Sequence, residues 1–278
     1  MSAPRSFLAV GVDGSPRDRT AVTWAAVAAG SRHLPLRLLH AQGRRFDRAG
    51  ADAVSAAAEH ARIVAPAVEV QSRALTGDPV AVLRDQSRDA VMLVLAPHTG
   101  EPLEAFGWST AAALTASAPC PVVAVPPRRG PTRTAGAVVV GVDGSELSEA
   151  ALAFAFDHAA AAGAALVAVH AWQDAGGDRV DDRAGGFGRV EAEQAQERVL
   201  AEALAGWTEK YPDVPVRRIV VHGPARAALL ARAGTAQLLV VGSAGRAGLT
   251  GLLHGSTSQA LLYELPCPLA VVRADGAR

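Results

Sequence analysis

The chain has 278 residues, half of them apolar, which is enough for one large or two ordinary domains with hydrophobic cores. Lysine plus arginine and aspartate plus glutamate number 27 each, and this balance argues against a nucleic-acid-binding protein with a basic surface. Lys210 is the only lysine, so a phosphate site in this chain cannot depend on a motif lysine.

The start of the chain and its composition indicate a cellular location. Residues 1–10 are too short and too mixed in character for a signal peptide, and no apolar run approaches the roughly 20 residues that span a bilayer. Asparagine is absent, and two cysteines are too few for a disulfide-stapled secreted fold. We therefore expect a cytoplasmic protein that has neither a membrane nor a nucleic acid as a partner.

The first predicted element is a strand that ends in a tight turn, Phe7–Ser15, and this segment returns as Val138–Ser145. Four further segments of the first half return in the same order in the second half. They are Leu38–Ala41 with Ala168–Ala171, Gly77 with Gly223, Val91–Leu95 with Leu238–Val241, and Pro119–Val125 with Pro266–Val272. The chain is therefore predicted to consist of two tandem copies of one unit.

The offsets between paired segments show where the two copies differ. The first strands lie 130 positions apart, but Gly77 and Gly223 lie 146 apart, so the second copy has gained about 16 residues near 173–188. The final strands lie 147 apart, so the first copy lacks one residue after its fourth strand. We predict domains at 1–127 and 137–278, joined by a linker at Pro126–Gly136.

Within each copy, short β-branched runs alternate with alanine-rich helical segments. In the second copy the predicted strands span 137–143, 165–171, 215–221, 238–242 and 268–272, and the predicted helices span 146–162, 188–209, 224–233 and 256–264. The strands are continuously apolar, as expected when helices cover both faces of a parallel sheet. We therefore predict an α/β fold with two tandem, doubly wound parallel sheets of five strands, each binding ligands where the carboxyl ends of its strands meet.

The first candidate for chemistry is the turn after the first strand of the second copy, Gly141–Ser145. Asp143 follows the strand, and its carboxylate could accept hydrogen bonds from ribose hydroxyls or an adenine amine, while Ser145 could cap the next helix. The alternative is that Asp143 only closes the turn. The turn taken alone favours this alternative slightly.

The second candidate is a glycine-rich segment that follows the fourth strand of the second copy, 242–258. Glycines allow backbone N–H groups to approach an anion closely, and the helix that opens at Gly255-Ser256 presents unpaired N–H groups. With its serine and threonine hydroxyls, this segment could hold a triphosphate without a lysine. The alternative is a plain glycine-rich connection followed by a serine cap.

The spacing of Gly242, Gly245 and Gly255-Ser256 resembles the ATP-binding motif of the universal stress proteins. The resemblance covers nearly the whole chain, including the strand–Asp–Gly–Ser opening, the His-Ala at the end of the second strand, the Gly-Pro after the third and the Pro-Cys-Pro before the last. It implies a tandem two-domain member of that family, with the adenine-nucleotide alpha hydrolase-like fold and the strand order 3-2-1-4-5 in each copy.

The resemblance also implies an ATP site in the second copy. Asp143 would face the ribose or the adenine, Ala171 would contact adenine through its backbone, and Gly223 would border the sugar. The implied nucleotide-binding residues are Gly141, Asp143, Ala171, Gly223, Gly242, Gly245, Arg246, Gly255, Ser256, Thr257 and Ser258, with Asp13 of the first copy. A solvated arginine is an equally good interpretation of Arg246. Magnesium or manganese would bridge the phosphates, because little protein charge is available to neutralise them.

The first copy keeps only part of this pattern. Asp13 remains, but Ala96 replaces Gly242, and Trp108 falls on the position of Gly255. Glu101 and Glu104 add negative charge, which repels a triphosphate unless a metal intervenes. We therefore predict that the first copy binds triphosphate weakly or not at all, and that each chain holds about one nucleotide.

Other residue types that often carry chemistry have simpler interpretations here. His40 and His170 stand at equivalent strand ends without metal-ligand partners at suitable spacing, so we expect structural histidines. Cys120 and Cys267 each stand between two prolines, and we expect small buried residues, with a redox pair across meeting final strands as the less favoured alternative. Neither a nucleophile elbow nor a positioned base is evident, so we do not expect an enzyme.

Three functions follow from these observations. The leading hypothesis is an ATP-binding stress-response protein that senses nucleotide state and regulates partners, built as an internal pseudo-dimer or a homodimer. The second is a non-enzymatic scaffold for dimerisation or partner docking, which the incomplete first copy supports. The third is a weak ATPase, which rests only on analogy with other adenine-binding folds.

Overall fold

The computed structural model describes residues 6–43, 48–97, 110–127, 135–173, 187–243, 256–264 and 266–273. In the first repeat the elements alternate between strand and helix. They are β1 (Phe7–Gly11), α1 (Asp18–Arg32), β2 (Leu36–Gln42), α2 (Arg48–Val64), β3 (Val70–Thr76), α3 (Pro79–Gln86), β4 (Ala90–Leu95), α4 (Thr110–Ser117) and β5 (Val122–Ala124).

The second repeat follows the same order with one additional helix. Its elements are β6 (Val138–Gly141), α5 (Glu146–Ala162), β7 (Leu166–Trp172), α6 (Phe187–Leu204), α7 (Trp207–Lys210), β8 (Val216–His222), α8 (Ala225–Ala233), β9 (Leu238–Gly242), α9 (Ser256–Glu264) and β10 (Leu269–Val272). The helix predicted at 188–209 is in fact two helices, because the chain turns at Gly206, whose φ is +78°.

The strand order in each repeat is 3-2-1-4-5, and each set of five strands is parallel. The two sets are not separate sheets. Strands β5 and β10 pair antiparallel, with Val123 opposite Ala270, and this pairing makes one sheet of ten strands. The final strands of the two copies therefore meet, and the repeats are related as an internal pseudo-dimer.

Apolar residues of the strands and helices form the core on both faces of the sheet. On one face α1, α2, α5 and α6 contribute to a single cluster that crosses from one repeat to the other. On the opposite face, α3 and α4 cover the first repeat, while α8 and α9 cover the second. The central strands β1 and β4 are buried along their whole length except Val91, as expected for a sheet covered on both faces.

Helices α1 and α5 pack against each other across the seam between the repeats. Trp24 and His158 stack with their ring centroids 5.5 Å apart, and Nη2 of Arg32 lies 3.1 Å from Nδ1 of His158. His158 is 4% exposed, and its burial, with repulsion from Arg32, lowers its pKa to about 3. The ring is therefore neutral at neutral pH, and Nδ1 accepts the hydrogen bond that Arg32 donates.

The seam does not repeat this contact symmetrically. At the repeat offset of 130, Ala28 corresponds to His158 and Ala162 corresponds to Arg32. A cavity of about 130 Å³ lies beside these two alanines and Trp24. His158 lines the same cavity, so the seam is asymmetric: a buried histidine and arginine stand at positions where the other repeat has two alanines, and the space left beside the alanines is not filled.

Candidate functional site

The candidate residues of the second repeat lie along one edge of the sheet. Strand β6 pairs in parallel with β7 on one side and with β9 on the other, and β7 pairs in parallel with β8. Their carboxyl ends therefore meet at the same edge, which brings Asp143, Ala171, Gly223 and Gly242 to one cleft. The strand order reverses at β6, with β7 on one side and β9 on the other, and doubly wound sheets bind ligands at such a switch point.

Asp143 forms the turn that leads from β6 into α5. Its Oδ1 accepts hydrogen bonds from the backbone N–H of Ser145 at 3.0 Å and from the Ser145 hydroxyl at 2.6 Å. The Ser145 Oγ in turn accepts from the N–H of Ser148 at 3.2 Å and so caps the helix, while Gly144 supplies the left-handed conformation at φ +76°. The turn-closing role and the helix cap are both present, and the contact of Asp143 with a nucleotide remains a prediction.

The space around Gly223 differs from that around its counterpart in the first repeat. Both glycines follow the third strand with positive φ, +139° at Gly223 and +150° at Gly77. A Cβ built at Gly77 would lie 2.8 Å from Cγ2 of Val82, whereas a Cβ built at Gly223 would meet no atom of the described residues within 4 Å. The cleft is therefore open at Gly223 and filled at Gly77.

A smaller difference is found at the end of the first strand, where both repeats are closely packed. A Cβ at Gly11 would lie 2.7 Å from Cδ2 of Leu95, while at Gly141 the nearest atom described is Cδ1 of Leu229 at 3.3 Å. Leu95 corresponds to the smaller Val241 in the second repeat. Larger side chains therefore narrow the first-repeat cleft at two positions, a feature that sequence reasoning missed.

The two ends of the glycine-rich segment lie close together in the structure. Gly242 ends β9, and the buried Ser258 of α9 donates a hydrogen bond from its hydroxyl to the carbonyl of Ser243 at 3.3 Å. Thr257 is half-buried in the same first turn of α9. Gly245, Arg246, Gly255 and the Ser256 side chain lie outside the described residues, so the roles predicted for them stay predictions.

Two aromatic side chains that sequence reasoning missed stand at the end of β7 and β8. Trp172 follows Ala171 directly, and its ring meets that of His222 edge to face with centroids 4.6 Å apart. The indole N–H is buried without an acceptor among the described residues. The position of Trp172 immediately after the predicted adenine contact was the signal that could have found it.

In the first repeat the carboxylate of Asp13 interacts with residues of the turn that it forms. Its Oδ1 accepts from the N–H of Ser15 at 2.7 Å, and its Oδ2 lies 3.9 Å from Nη2 of Arg17. The nearby Asp18 repels it, because both carry carboxyl groups. The segment with Glu101, Glu104 and Trp108 lies outside the described residues, so its predicted effect on triphosphate is untested.

The paired histidines have structural roles. Nδ1 of His40 donates to the carbonyl of Val12 at 2.9 Å, and Nδ1 of His170 donates to the carbonyl of Val142 at 2.7 Å. Each ring therefore ties the end of the second strand of its repeat to the end of the first. Nε2 of His170 also lies 2.9 Å from Oε1 of Gln196 on α6.

Neither the cysteines nor the acidic residues of the described chain form a metal or redox centre. Cys120 and Cys267 are buried and form no disulfide, although the strands that follow them pair. Among the described residues, no group of three or more histidine, cysteine, aspartate or glutamate side chains could hold a metal ion. Within the same residues, no helix is long and apolar enough to cross a membrane.

Comparison with known proteins agrees with this architecture. The model of the universal stress protein family matches the chain twice, at residues 8–126 and 135–273. The universal stress protein Rv2005c of Mycobacterium tuberculosis (strain H37Rv) is 38% identical over 98% of this chain and 99% of its own length. The universal stress protein Rv2623 of the same strain is 35% identical over the same shares of both chains.

Solved structures share the fold at lower identity. The crystal structure of a universal stress protein from Archaeoglobus fulgidus superposes with a TM-score of 0.70 at 15% identity, over 98% of this chain and 97% of that one. The fold thus extends over both repeats of a single chain. With two matches to the family model and relatives that align from end to end, the chain belongs to the universal stress protein family, as a tandem two-domain member.

Proposed function

We propose that the second repeat binds ATP and that the bound nucleotide regulates partners of this protein in the stress response. The observation that carries the proposal is the open cleft beside Gly223, where the carboxyl ends of β6, β7, β8 and β9 meet. The counterpart of this cleft in the first repeat is filled by Val82 at Gly77. Membership of the universal stress protein family supports an adenine nucleotide as the ligand.

The residues of the cleft suit an adenosine. Ala171 is half-buried and is the second-last residue of β7, so its backbone can contact the base, and the Asp143 carboxylate lies beyond the end of the neighbouring strand β6. Gly223 leaves room for the sugar because it carries no side chain. The glycine segment between Gly242 and Ser256 would hold the phosphates with backbone N–H groups and the start of α9.

The phosphates would be accompanied by magnesium or manganese. Among the described residues, no group of three or more histidine, cysteine, aspartate or glutamate side chains could hold such an ion. The ion would supply positive charge to offset the phosphates, for which this chain offers only one lysine.

We further propose a binding protein of the cytoplasm that is not an enzyme. Oδ1 of Asp143 already accepts two hydrogen bonds from Ser145, so this oxygen is poorly suited to take a proton from a water molecule. A nucleotide could instead act as a signal, since ligand binding changes the population of protein conformations that partners recognise.

The test is the identity and stoichiometry of bound nucleotide. We expect mass analysis of the denatured protein to release ATP at about one per chain, and calorimetry to show that Asp143→Ala weakens ATP binding. The matched Asp13→Ala variant of the first repeat should bind as the original protein does. Failure to bind at millimolar ATP, or two equivalent sites per chain, would contradict the proposal.

A further inference from the structure

A groove of about 400 Å³ runs between α1 and α2 in the first repeat. It lies on the face of the sheet opposite α3 and α4, and it opens beside the turn at Gly14 and Ser15. Its floor consists of small or apolar residues, Val22, Ala53 and Ala57 among them. A cleft of this volume is within the range of small-molecule sites.

The hydroxyl of Ser15 lies at the mouth of the groove, where its oxygen is buried and has no hydrogen-bond partner among the described residues. The corresponding Ser145 in the second repeat uses its hydroxyl fully, since it donates to Asp143 and accepts from the N–H of Ser148. In the first repeat Asp13 still accepts from the N–H of Ser15, and Asp18 additionally accepts from the N–H groups of Asp13 and Gly14. A buried polar atom left unsatisfied costs free energy, which a bound hydrogen-bonding group would recover.

Asp18 brings a carboxyl group into the same groove. Its Oδ2 accepts from the N–H groups of Asp13 and Gly14, at 3.1 and 2.8 Å, and only 8% of the residue is exposed. Burial, followed by repulsion from Asp13, raises the pKa of Asp18 to about 6. A cation next to Asp18 would offset both effects.

The ring of His60 in the groove also favours a donor as ligand. The Thr23 hydroxyl donates to the carbonyl of Arg19, so Nε2 of His60, 2.7 Å from it, must be the donor of that contact. Burial lowers the pKa of His60, which leaves Nδ1 of the neutral ring as an acceptor. Glu59 and Arg19 are both exposed at the rim of the groove, and their opposite charges add little net charge for a ligand to meet.

We propose that this groove binds an organic ammonium ion, with its apolar body on the alanine floor and its ammonium group at Asp18 and Ser15. The site is distinct from the nucleotide cleft and does not rest on the function proposed above. Asp18 corresponds to Ser148 in the second repeat, which therefore lacks the carboxylate. The proposed site belongs to the first repeat alone.

The test uses 2-phenylethylammonium as the probe and 2-phenylethanol, which has the same body without the charge, as its control. Two-dimensional NMR of the isotope-labelled full chain, saturated with ATP to occupy any nucleotide site, should show shifts at the amides of Gly14 and Ser15. For a ligand of this size we expect a Kd on the order of 1 mM for the ammonium ion. The alcohol should bind about tenfold more weakly, as expected when a charged hydrogen bond is lost.

Two variants separate the carboxylate from general groove effects. Asp18→Asn should weaken ammonium binding about tenfold, while Glu59→Gln, which removes an exposed carboxylate of the same groove, should change it less than about twofold. Unchanged amide dispersion shows that each variant is folded. Equal affinity for the amine and the alcohol, shifts confined to other regions, or full binding by Asp18→Asn would each overturn the proposal.

Discussion

The two repeats have the same topology but differ at the edge of the sheet and at the seam. At the edge, Val82 fills space beside Gly77 that stays open beside Gly223, and Leu95 crowds Gly11 more closely than any described side chain crowds Gly141. At the seam, His158 and Arg32 are buried against each other, while their counterparts Ala28 and Ala162 are small and leave a cavity, which His158 also lines. The two repeats thus share one sheet topology, and individual side chains at these two places make them differ.

The asymmetric seam should make the stability of the protein sensitive to acid. The pKa of His158 is lowered from 6.5 to about 3, so between these values the unfolded chain binds a proton that the folded chain does not. The free energy of unfolding should therefore fall as the pH falls from 6.5 towards 3, by up to about 1.4 kcal/mol per pH unit and several kcal/mol in total.

Urea unfolding at several pH values measures this effect. His158→Gln should be less stable at pH 7, because the stack with Trp24 is lost, but its stability should depend less on pH over that window. His222 is exposed at the far edge of the sheet, so His222→Gln serves as the control and should retain the slope of the original protein. If His158→Gln keeps that slope as well, His158 is not the group responsible.

The cleft beside Gly223 can be narrowed by introducing into the second repeat the larger side chains that the first repeat has at the equivalent positions. Ala228 and Val241 occupy the positions of Val82 and Leu95, so Ala228→Val with Val241→Leu should reduce the space at Gly223 and Gly141. We expect ATP affinity to fall at least about tenfold, which is about 1.4 kcal/mol. Calorimetry on the folded variant measures the loss.

The reciprocal change provides the control for this experiment. Val82→Ala with Leu95→Val opens the first repeat and should leave ATP binding by the second repeat unchanged. If the closed second repeat binds ATP as tightly as before, the space beside Gly223 does not determine which repeat binds nucleotide.

Local signals in the sequence were sufficient to predict most elements of the second repeat. The predicted helices at 146–162 and 256–264 have the observed bounds, and Ser145 and Gly163 supply the cap and the left-handed end of the first of these. The helix predicted at 188–209 was wrong because Gly206 adopts positive φ and divides it. One glycine in a helical pattern does not show by itself whether the helix continues.

Contacts between distant residues could not be predicted in the same way. The sequence indicated Asp143, Ala171, Gly223 and Gly242 as strand ends, and the sheet does bring them to one edge. The filling of the first cleft by Val82 depends on how α3 packs on the sheet, which no local pattern specifies.

Asp18 offers a further distinction between the repeats. Because its folded pKa is raised to about 6, the folded chain binds a proton more tightly than the unfolded chain between pH 3.8 and 6, so stability decreases as the pH rises through this window. Asp18→Asn keeps an oxygen that can accept from the N–H groups of Asp13 and Gly14. Removing the carboxylate charge should therefore stabilise the folded protein above pH 6, and we expect the Asp18→Asn variant to gain about 1 kcal/mol in its free energy of unfolding.

Thermal unfolding of Asp18→Asn at pH 5 and pH 8 checks the sign of this effect. The stabilisation should be present at pH 8 and smaller at pH 5, where Asp18 is already largely protonated in the folded protein. Glu59→Gln removes an exposed carboxylate nearby and should change stability little at either pH. A destabilised Asp18→Asn at pH 8 would show that the charge of Asp18 is compensated in the fold.

The ends of α1 and α5 give the smallest expected effect. Both helices end in a left-handed residue, His33 at φ +52° and Gly163 at φ +60°. A histidine in this conformation is strained by its Cβ, so His33→Gly should stabilise the protein by about 0.5–1 kcal/mol, and Gly163→His should destabilise it by a similar amount. Urea unfolding of the two variants measures both changes. Since no described atom lies within 4 Å of a Cβ at Gly163, a loss there would reflect backbone conformation rather than a clash; the same sign in both variants would contradict this explanation.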